Sequence, residues 1–128
     1  MATSTIKSNL AQTIDFSGIQ TAESWFSVSS WRGFKKNNVV HLFGMIEFNN
    51  STGSAWGNNS GHTKMLTNLP FNAYSSRLYC LAPGDSFDTS TNGLSILTIA
   101  GGDLYLSFNK IKAGTSGTIM LETEFMVS

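Results

Sequence analysis

Apolar residues recur at every second position over most of this chain, and this alternation constrains the fold more than any other sequence feature. It is clearest in residues 39–48, whose even positions are apolar around one glycine: Val40, Leu42, Gly44, Ile46 and Phe48. A period of two is typical of β-strands, because successive side chains point to opposite faces of a sheet. From residue 23 onward no long segment has helical spacing, so the chain is predicted to be all-β.

Turn signals separate the alternating runs at intervals of about 8–12 residues, the spacing of a sandwich or barrel. Asn92-Gly93 and Gly101-Gly102-Asp103 are tight-turn sequences, and Pro70 and Pro83 each end an apolar run. Residue 33 and the segment 35–38 indicate a further turn, and residues 49–61 a long loop. This organisation predicts a jelly-roll-like antiparallel β-sandwich of about seven or eight short strands.

The strand at residues 39–48 is apolar on its odd-numbered face as well. That face carries Val39, His41, Phe43 and Met45 before Glu47. A strand with one face in water is polar on that face. We therefore expect a partner subunit to cover the odd face, and predict these first four residues to be an oligomer interface.

Residues 1–22 differ from the remainder, since they are polar with few apolar residues. Ile6, Leu10 and Ile14 are four positions apart, which fits one stripe of a helix. A connector or an oligomerising stalk fits equally well. The chain is accordingly divided into an N-terminal connector or stalk at residues 1–22 and a β-sandwich head at residues 23–128.

The charge content argues against several classes of partner. Lys and Arg number 8, Asp and Glu number 8, and only 12% of residues are charged. Binding to nucleic acid requires an excess of cationic side chains, so none is expected. No apolar run is long enough to insert into a membrane. The N-terminus lacks the charged and apolar regions of a signal peptide, which predicts folding in the cytoplasm.

Catalytic and metal-binding patterns are missing from the sequence. His41 and His62 have no second histidine, cysteine or acid at ligand spacing, and a metal site needs about three converging ligands. Glu122 and Glu124 share one face of the last strand, where a solvent-facing role is expected rather than that of a glycosidase pair. We therefore predict no enzyme activity, no metal and no cofactor.

Ligand binding has better candidates, since saccharides are held by aromatic rings and by polar side chains that hydrogen-bond hydroxyl groups. Trp56 is expected to be exposed on the 49–61 loop, although it could instead fold back over the edge of the core. A second polar loop covers residues 85–92, and a side cleft is expected near residues 77–79 and 105. The predicted ligand-binding residues are Trp56, Asn58, Asn59, His62, Arg77, Tyr79, Asp85, Asp88 and Tyr105.

The order of segments over residues 31–127 resembles that of the C-terminal head domains of bacteriophage tail fibres and receptor-binding proteins. The resemblance is carried by Val40-His41-Leu42-Phe43-Gly44-Met45-Ile46-Glu47-Phe48, Leu69-Pro70, Gly102-Asp103-Leu104-Tyr105-Leu106 and the closing strand at 117–127. Leu69-Pro70 is followed by Phe71-Asn72-Ala73-Tyr74 instead of the commoner LPxGYRP continuation, which leaves the subfamily and its receptor open.

The resemblance implies a homotrimeric head at the tip of a phage tail, made in the bacterial host cytoplasm and carried on the virion. Such heads recognise host cell-surface saccharide without catalysis or cofactor, and the N-terminal segment would join them to other tail or baseplate proteins. The alternative is a structural baseplate or fibre protein that binds only other virion proteins.

Overall fold

A computed structural model of the chain describes residues 10–81, 86–89 and 94–128, with residues 79–81, 88–89 and 94–95 described by their backbone alone. These ranges contain strands and no helix, so the all-β prediction is confirmed. The strands are β1 (Gln12–Thr13), β2 (Gln20–Thr21), β3 (Phe26–Lys36), β4 (Val39–Asn50), β5 (Trp56–Thr67), β6 (Ala73–Leu81), β7 (Phe87–Thr89), β8 (Leu94–Gly101), β9 (Asp103–Ile111) and β10 (Thr115–Met126).

The strands form two antiparallel sheets, which confirms the predicted β-sandwich. Sheet A has the order β1-β3-β4-β10. Sheet B has the order β2-β5-β9-β8-β6, and β7 pairs with β9 at residues 109–111, next to the stretch that β8 pairs with. In sheet B, β6, β8 and β9 lie side by side and β5, which precedes them in the chain, lies beside β9, which is a Greek-key arrangement.

The core lies between the two sheets and uses the even-numbered face of β4, as the alternation predicted. Val40 and Ile46 of β4 are completely buried, and so are Leu97 of β8 and Leu106 of β9. Each such side chain contributes about 1.5–3 kcal/mol of apolar burial to stability.

Gly44 is the one position of the even face of β4 without a side chain, and Trp31 fills its place. A Cβ atom at residue 44 would lie 2.5 Å from two ring carbons of Trp31. The Trp31 indole Nε1–H donates a hydrogen bond of 2.8 Å to the Met45 carbonyl oxygen, which fixes the ring.

The N-terminal segment belongs to the sandwich from residue 12 onward. β1 pairs with β3 and β2 pairs with β5, while Ile14, Phe16 and Ile19 pack against the core. The interpretation of the N-terminal segment as a helix is therefore wrong for residues 10–22. Ile6 lies outside the described residues, and a stalk role for residues 1–9 stays a prediction.

The predicted loop at residues 49–61 and the predicted turn at Gly33 were also wrong in extent. The connection between β4 and β5 spans only residues 51–55, and β3 continues to Lys36. Asn50 is completely buried, and its side-chain amide donates to the carbonyl oxygens of Ser54 (2.9 Å) and Ile111 (3.3 Å), which closes this connection against β9. The actual β3–β4 turn uses Asn37 and Asn38, both with positive φ (53° and 64°), as in a type I′ hairpin.

Candidate functional site

The outer face of sheet B carries an open cleft with a volume of ≈ 360 Å³. The register of the strands creates it, because Lys64, Tyr105, Thr98 and Arg77 are successive cross-strand neighbours on β5, β9, β8 and β6. We call this feature the sheet B cleft; it is lined by His62, Ser75, Arg77, Thr98, Ala100 and Tyr105.

A chain of hydrogen bonds forms the floor of the sheet B cleft. His62 Nδ1 lies 2.6 Å from the Ser107 hydroxyl, which lies 2.8 Å from the Thr98 hydroxyl. Ser107 and Thr98 are buried polar residues. Because buried hydroxyl groups are costly to leave unpaired, these hydrogen bonds hold the His62 ring in a defined orientation.

Phe108 positions two further groups at the cleft. Its ring centroid lies 4.9 Å from that of His62 and 5.4 Å from the guanidinium carbon of Arg77, a distance typical of a cation–π contact. Phe108 has a φ of 57°, unusual for a bulky residue, at the point where residues 59–61 of β5 oppose this single residue of β9. The irregular pairing turns Phe108 outward beneath the arginine.

Asp103 lies at the margin of the cleft and is already engaged by its neighbours. It accepts hydrogen bonds from the Thr67 hydroxyl (2.7 Å) and the Tyr105 hydroxyl (3.3 Å), and forms an ion pair with Lys64 at 3.4 Å. The hydrogen bond from Thr67 is the main cause that lowers the pKa of the Asp103 carboxyl group, with Lys64 assisting. Asp103 is therefore ionised at neutral pH.

A second concave surface lies on the outer face of sheet A, with a volume of ≈ 550 Å³. Arg32 lies over the Phe43 ring at 4.7 Å, Phe34 stacks on His41 at 4.5 Å, and His41 Nδ1 is 3.1 Å from Glu124 Oε2. We call this surface the sheet A groove; the residues used below are Arg32, Phe34, His41, Phe43, Glu122 and Glu124.

The four predicted interface residues all lie on this outer face of sheet A and are half-buried: Val39, His41, Phe43 and Met45. Exposed Met126 and Met120 extend the apolar surface along β10, since they pair in register with Val39 and Met45. The interface role itself stays a prediction.

Trp56 is not exposed on a loop, and that prediction was wrong. It begins β5, is half-buried, and packs its ring against Phe26 (5.0 Å) and Trp25 (5.9 Å). Its indole N–H donates to Glu23 Oε1 at 3.1 Å. The alternative, in which Trp56 folds back over the edge of the core, is the correct one, because the strand begins six residues earlier than the loop composition indicated.

The other predicted ligand residues are divided between the cleft and elsewhere. His62, Arg77 and Tyr105 line the sheet B cleft together. Asn58 instead accepts two hydrogen bonds from Ser60, and the buried Asn59 Oδ1 has no partner among the described residues. Outside the described residues lie Asp85 and the side chains of Tyr79 and Asp88, whose backbones pair with Ile96 and Lys110.

Three contributors to the cleft were not anticipated from the sequence: Lys64, Asp103 and Phe108. Alternation from His62 places Lys64 on the same face, so this residue could have been found. Asp103 was assigned to a hairpin turn, and the outward position of Phe108 depends on an irregular strand pairing that no local pattern signals.

Among the described residues, no group of three or more His, Cys, Asp or Glu side chains is placed to hold a metal ion. The described part of the chain also has no helix of the length and apolarity needed to span a membrane. Comparisons with models of protein families, with curated proteins and with solved structures found no match.

Proposed function

We propose that this chain is a non-enzymatic, saccharide-binding head similar to those at phage tail-fibre tips. We further propose that the sheet B cleft is its binding site. The observation that supports this is the convergence of Tyr105, His62 and Arg77 on one open cleft. Aromatic rings provide contact area for the apolar face of a sugar, and the guanidinium group provides directional hydrogen bonds to its oxygens.

The site is built on strands rather than on loops, which suits recognition of a surface polymer. Tyr105 on β9 pairs with Thr98 on β8, and His62 on β5 pairs with Ser107, two residues from Tyr105 along β9. A cleft supported by paired backbones loses little conformational freedom when a ligand binds.

A glycan array probed with the purified full-length chain tests the proposal. We expect binding to a limited set of saccharides, and loss of that binding on Tyr105→Ala. Phe34→Ala is the matched control, because it removes an aromatic ring from the opposite outer face. Failure to bind any saccharide, or equal loss in both variants, contradicts the proposal.

A structural protein of the same kind of particle is the second candidate function. Its support is the apolar character of the outer face of sheet A, where Phe34 is 40% and Met126 is 58% exposed. A homotrimer would be one way to cover this face, and light scattering measures the mass of such an oligomer directly. A stable oligomer that binds no saccharide favours this second candidate.

A further inference from the structure

We propose that the sheet B cleft selects saccharides that carry an anionic group, a carboxylate or a phosphate, and that Arg77 binds this group. This inference rests on the proposed function, because it names the chemical class of ligand for the same cleft. It is carried by the balance between hydrogen-bond donors and acceptors at the cleft.

Arg77 supplies donors that the described residues do not use. Its guanidinium group lies over Phe108 at 5.4 Å, and no hydrogen bond or ion pair with another described residue occupies its N–H groups. An arginine has five such donors in a planar fork and no acceptor. Contact with the Phe108 ring restrains the guanidinium group and leaves its N–H groups available to a carboxylate or phosphate.

Among the carboxylates that the structure describes, the one near the cleft is already engaged by its neighbours. Asp103 Oδ1 accepts from Thr67, and Oδ2 meets both the Tyr105 hydroxyl and Lys64. A neutral sugar hydroxyl needs acceptors as well as donors, and Asp103 has little free capacity to offer. An anionic oxygen needs donors alone.

The charge of the residues near the cleft also favours an anionic ligand. Arg77 and Lys64 are two cations beside the single carboxylate of Asp103, which leaves a net charge of +1 among these three residues. The sheet A groove repeats the arginine-over-phenyl arrangement at Arg32 and Phe43, but there Glu122 and Glu124 line the same cavity. One arginine and two glutamates leave that surface unfavourable for an anion.

Titration of the isotope-labelled full-length chain by NMR, at low salt, tests the inference with three probes. An oligogalacturonate carries carboxylates, a glycerol phosphate oligomer carries phosphodiesters, and a neutral oligogalactose of similar length carries neither. We expect one or both anionic oligomers to shift the amide resonances of His62, Lys64, Arg77 and Tyr105. The anionic oligomer that binds more tightly identifies the preferred group, carboxylate or phosphate. Added salt should weaken the binding of that oligomer.

Two variants assign the effect to Arg77. Arg77→Gln should weaken anionic binding about tenfold or more, the loss expected for a hydrogen bond to a charged group. Arg32→Gln is the matched control and should leave the affinity unchanged. An unaltered amide spectrum in each unbound variant verifies that the fold is intact, as expected for an exposed side chain.

The outcomes separate this inference from the proposed function. Equal binding of the neutral oligomer at the cleft, unaffected by Arg77→Gln, overturns the inference and leaves saccharide binding in place. Anionic binding that falls equally in Arg32→Gln and Arg77→Gln also overturns it, since a specific cleft is then excluded. Failure of all three oligomers overturns the inference, and the proposed function falls with it only if the glycan array is negative as well.

Discussion

The outer faces of the two sheets share one arrangement of residues and differ in what surrounds it. On sheet A, Arg32 lies over Phe43, and on sheet B, Arg77 lies over Phe108. The first arginine shares its groove with Glu122 and Glu124, whereas the second lies at a cleft where the nearest described carboxylate, Asp103, is held by other partners. The two arginine–phenylalanine pairs therefore differ in the acceptors that lie near each guanidinium group.

The two faces also differ in polarity. The outer face of sheet A presents Met126, Val39 and Phe43, and an apolar sheet face of this kind favours contact with another protein. The outer face of sheet B presents the polar floor formed by His62, Ser107 and Thr98. These differences support the proposal that the ligand binds to sheet B and a protein partner to sheet A, and four variants test this division.

The largest effect is expected from Gly44→Ala in sheet A. The new Cβ atom would lie 2.5 Å from Trp31 ring carbons that a hydrogen bond holds in place, so overpacking should cost about 2–3 kcal/mol of stability. Urea unfolding measures this loss. In a Trp31→Ala background the same substitution should cost much less, and equal costs in both backgrounds would exclude the proposed steric cause.

Ser107→Ala should have the next largest effect, on the floor of the sheet B cleft. It removes the hydroxyl that joins His62 to Thr98, so stability should fall by about 1–2 kcal/mol and saccharide affinity should fall as the His62 ring loses its support. Ser75→Ala, at an exposed position that lines the same cleft, is the control. If both variants bind equally well, the hydrogen-bonded floor does not position the site.

Met126→Glu tests the contact role of sheet A. A further carboxylate on the face that carries Glu122 and Glu124 should weaken self-association about tenfold without unfolding the chain, because Met126 is 58% exposed. Tyr74→Glu, at 59% exposure on β6, is the matched control. Light scattering over a concentration series measures the mass. An unchanged oligomer, or a monomeric native chain, would remove this face from the interface.

Asp103→Asn should have the smallest effect on stability, about 0.5–1 kcal/mol, since Asp103 and Lys64 form a partly exposed pair. The folded-state pKa of Asp103 lies below its ordinary value of 3.8, so its contribution is present above that pH and is lost as the pH falls through the lower folded-state pKa. The difference in unfolding free energy between wild type and variant should thus be largest at neutral pH and shrink in acid. A constant difference at all pH values would contradict this assignment.

Much of the fold was predictable because side-chain alternation is a local property. The even-numbered face of β4 was identified from its sequence and is buried as predicted, and the even face of β9 at Leu104 and Leu106 follows the same rule. Arg77 and Tyr105 were predicted to share a side cleft, and they do. The extent of β5 was not predicted, because residues 57–61 are of types common in loops, although Trp56, Gly57 and Asn58 pair with β9.

The outward arginines and phenylalanines depended instead on irregular pairing. Ser30 has a φ of 56°, and at this point the β3–β4 register shifts between Ser29 and Arg32. The outer residues of β3 are therefore odd-numbered before Ser30 and even-numbered after it, which brings Arg32 and Phe34 outward. A shift of one residue exchanges the two faces of a strand, and neither serine nor phenylalanine signals a left-handed conformation.

Because strand periodicity arises within each segment, the alternation of side chains was enough to predict β-strands around a core filled by alternate residues. Which strands pair, and where the register shifts at Ser30 and opposite Phe108, depends on the three-dimensional fold, and so does the set of side chains that meet on each outer face. Register is fixed between strands that are distant in the chain, where burial of the whole core outweighs the preference of any single residue.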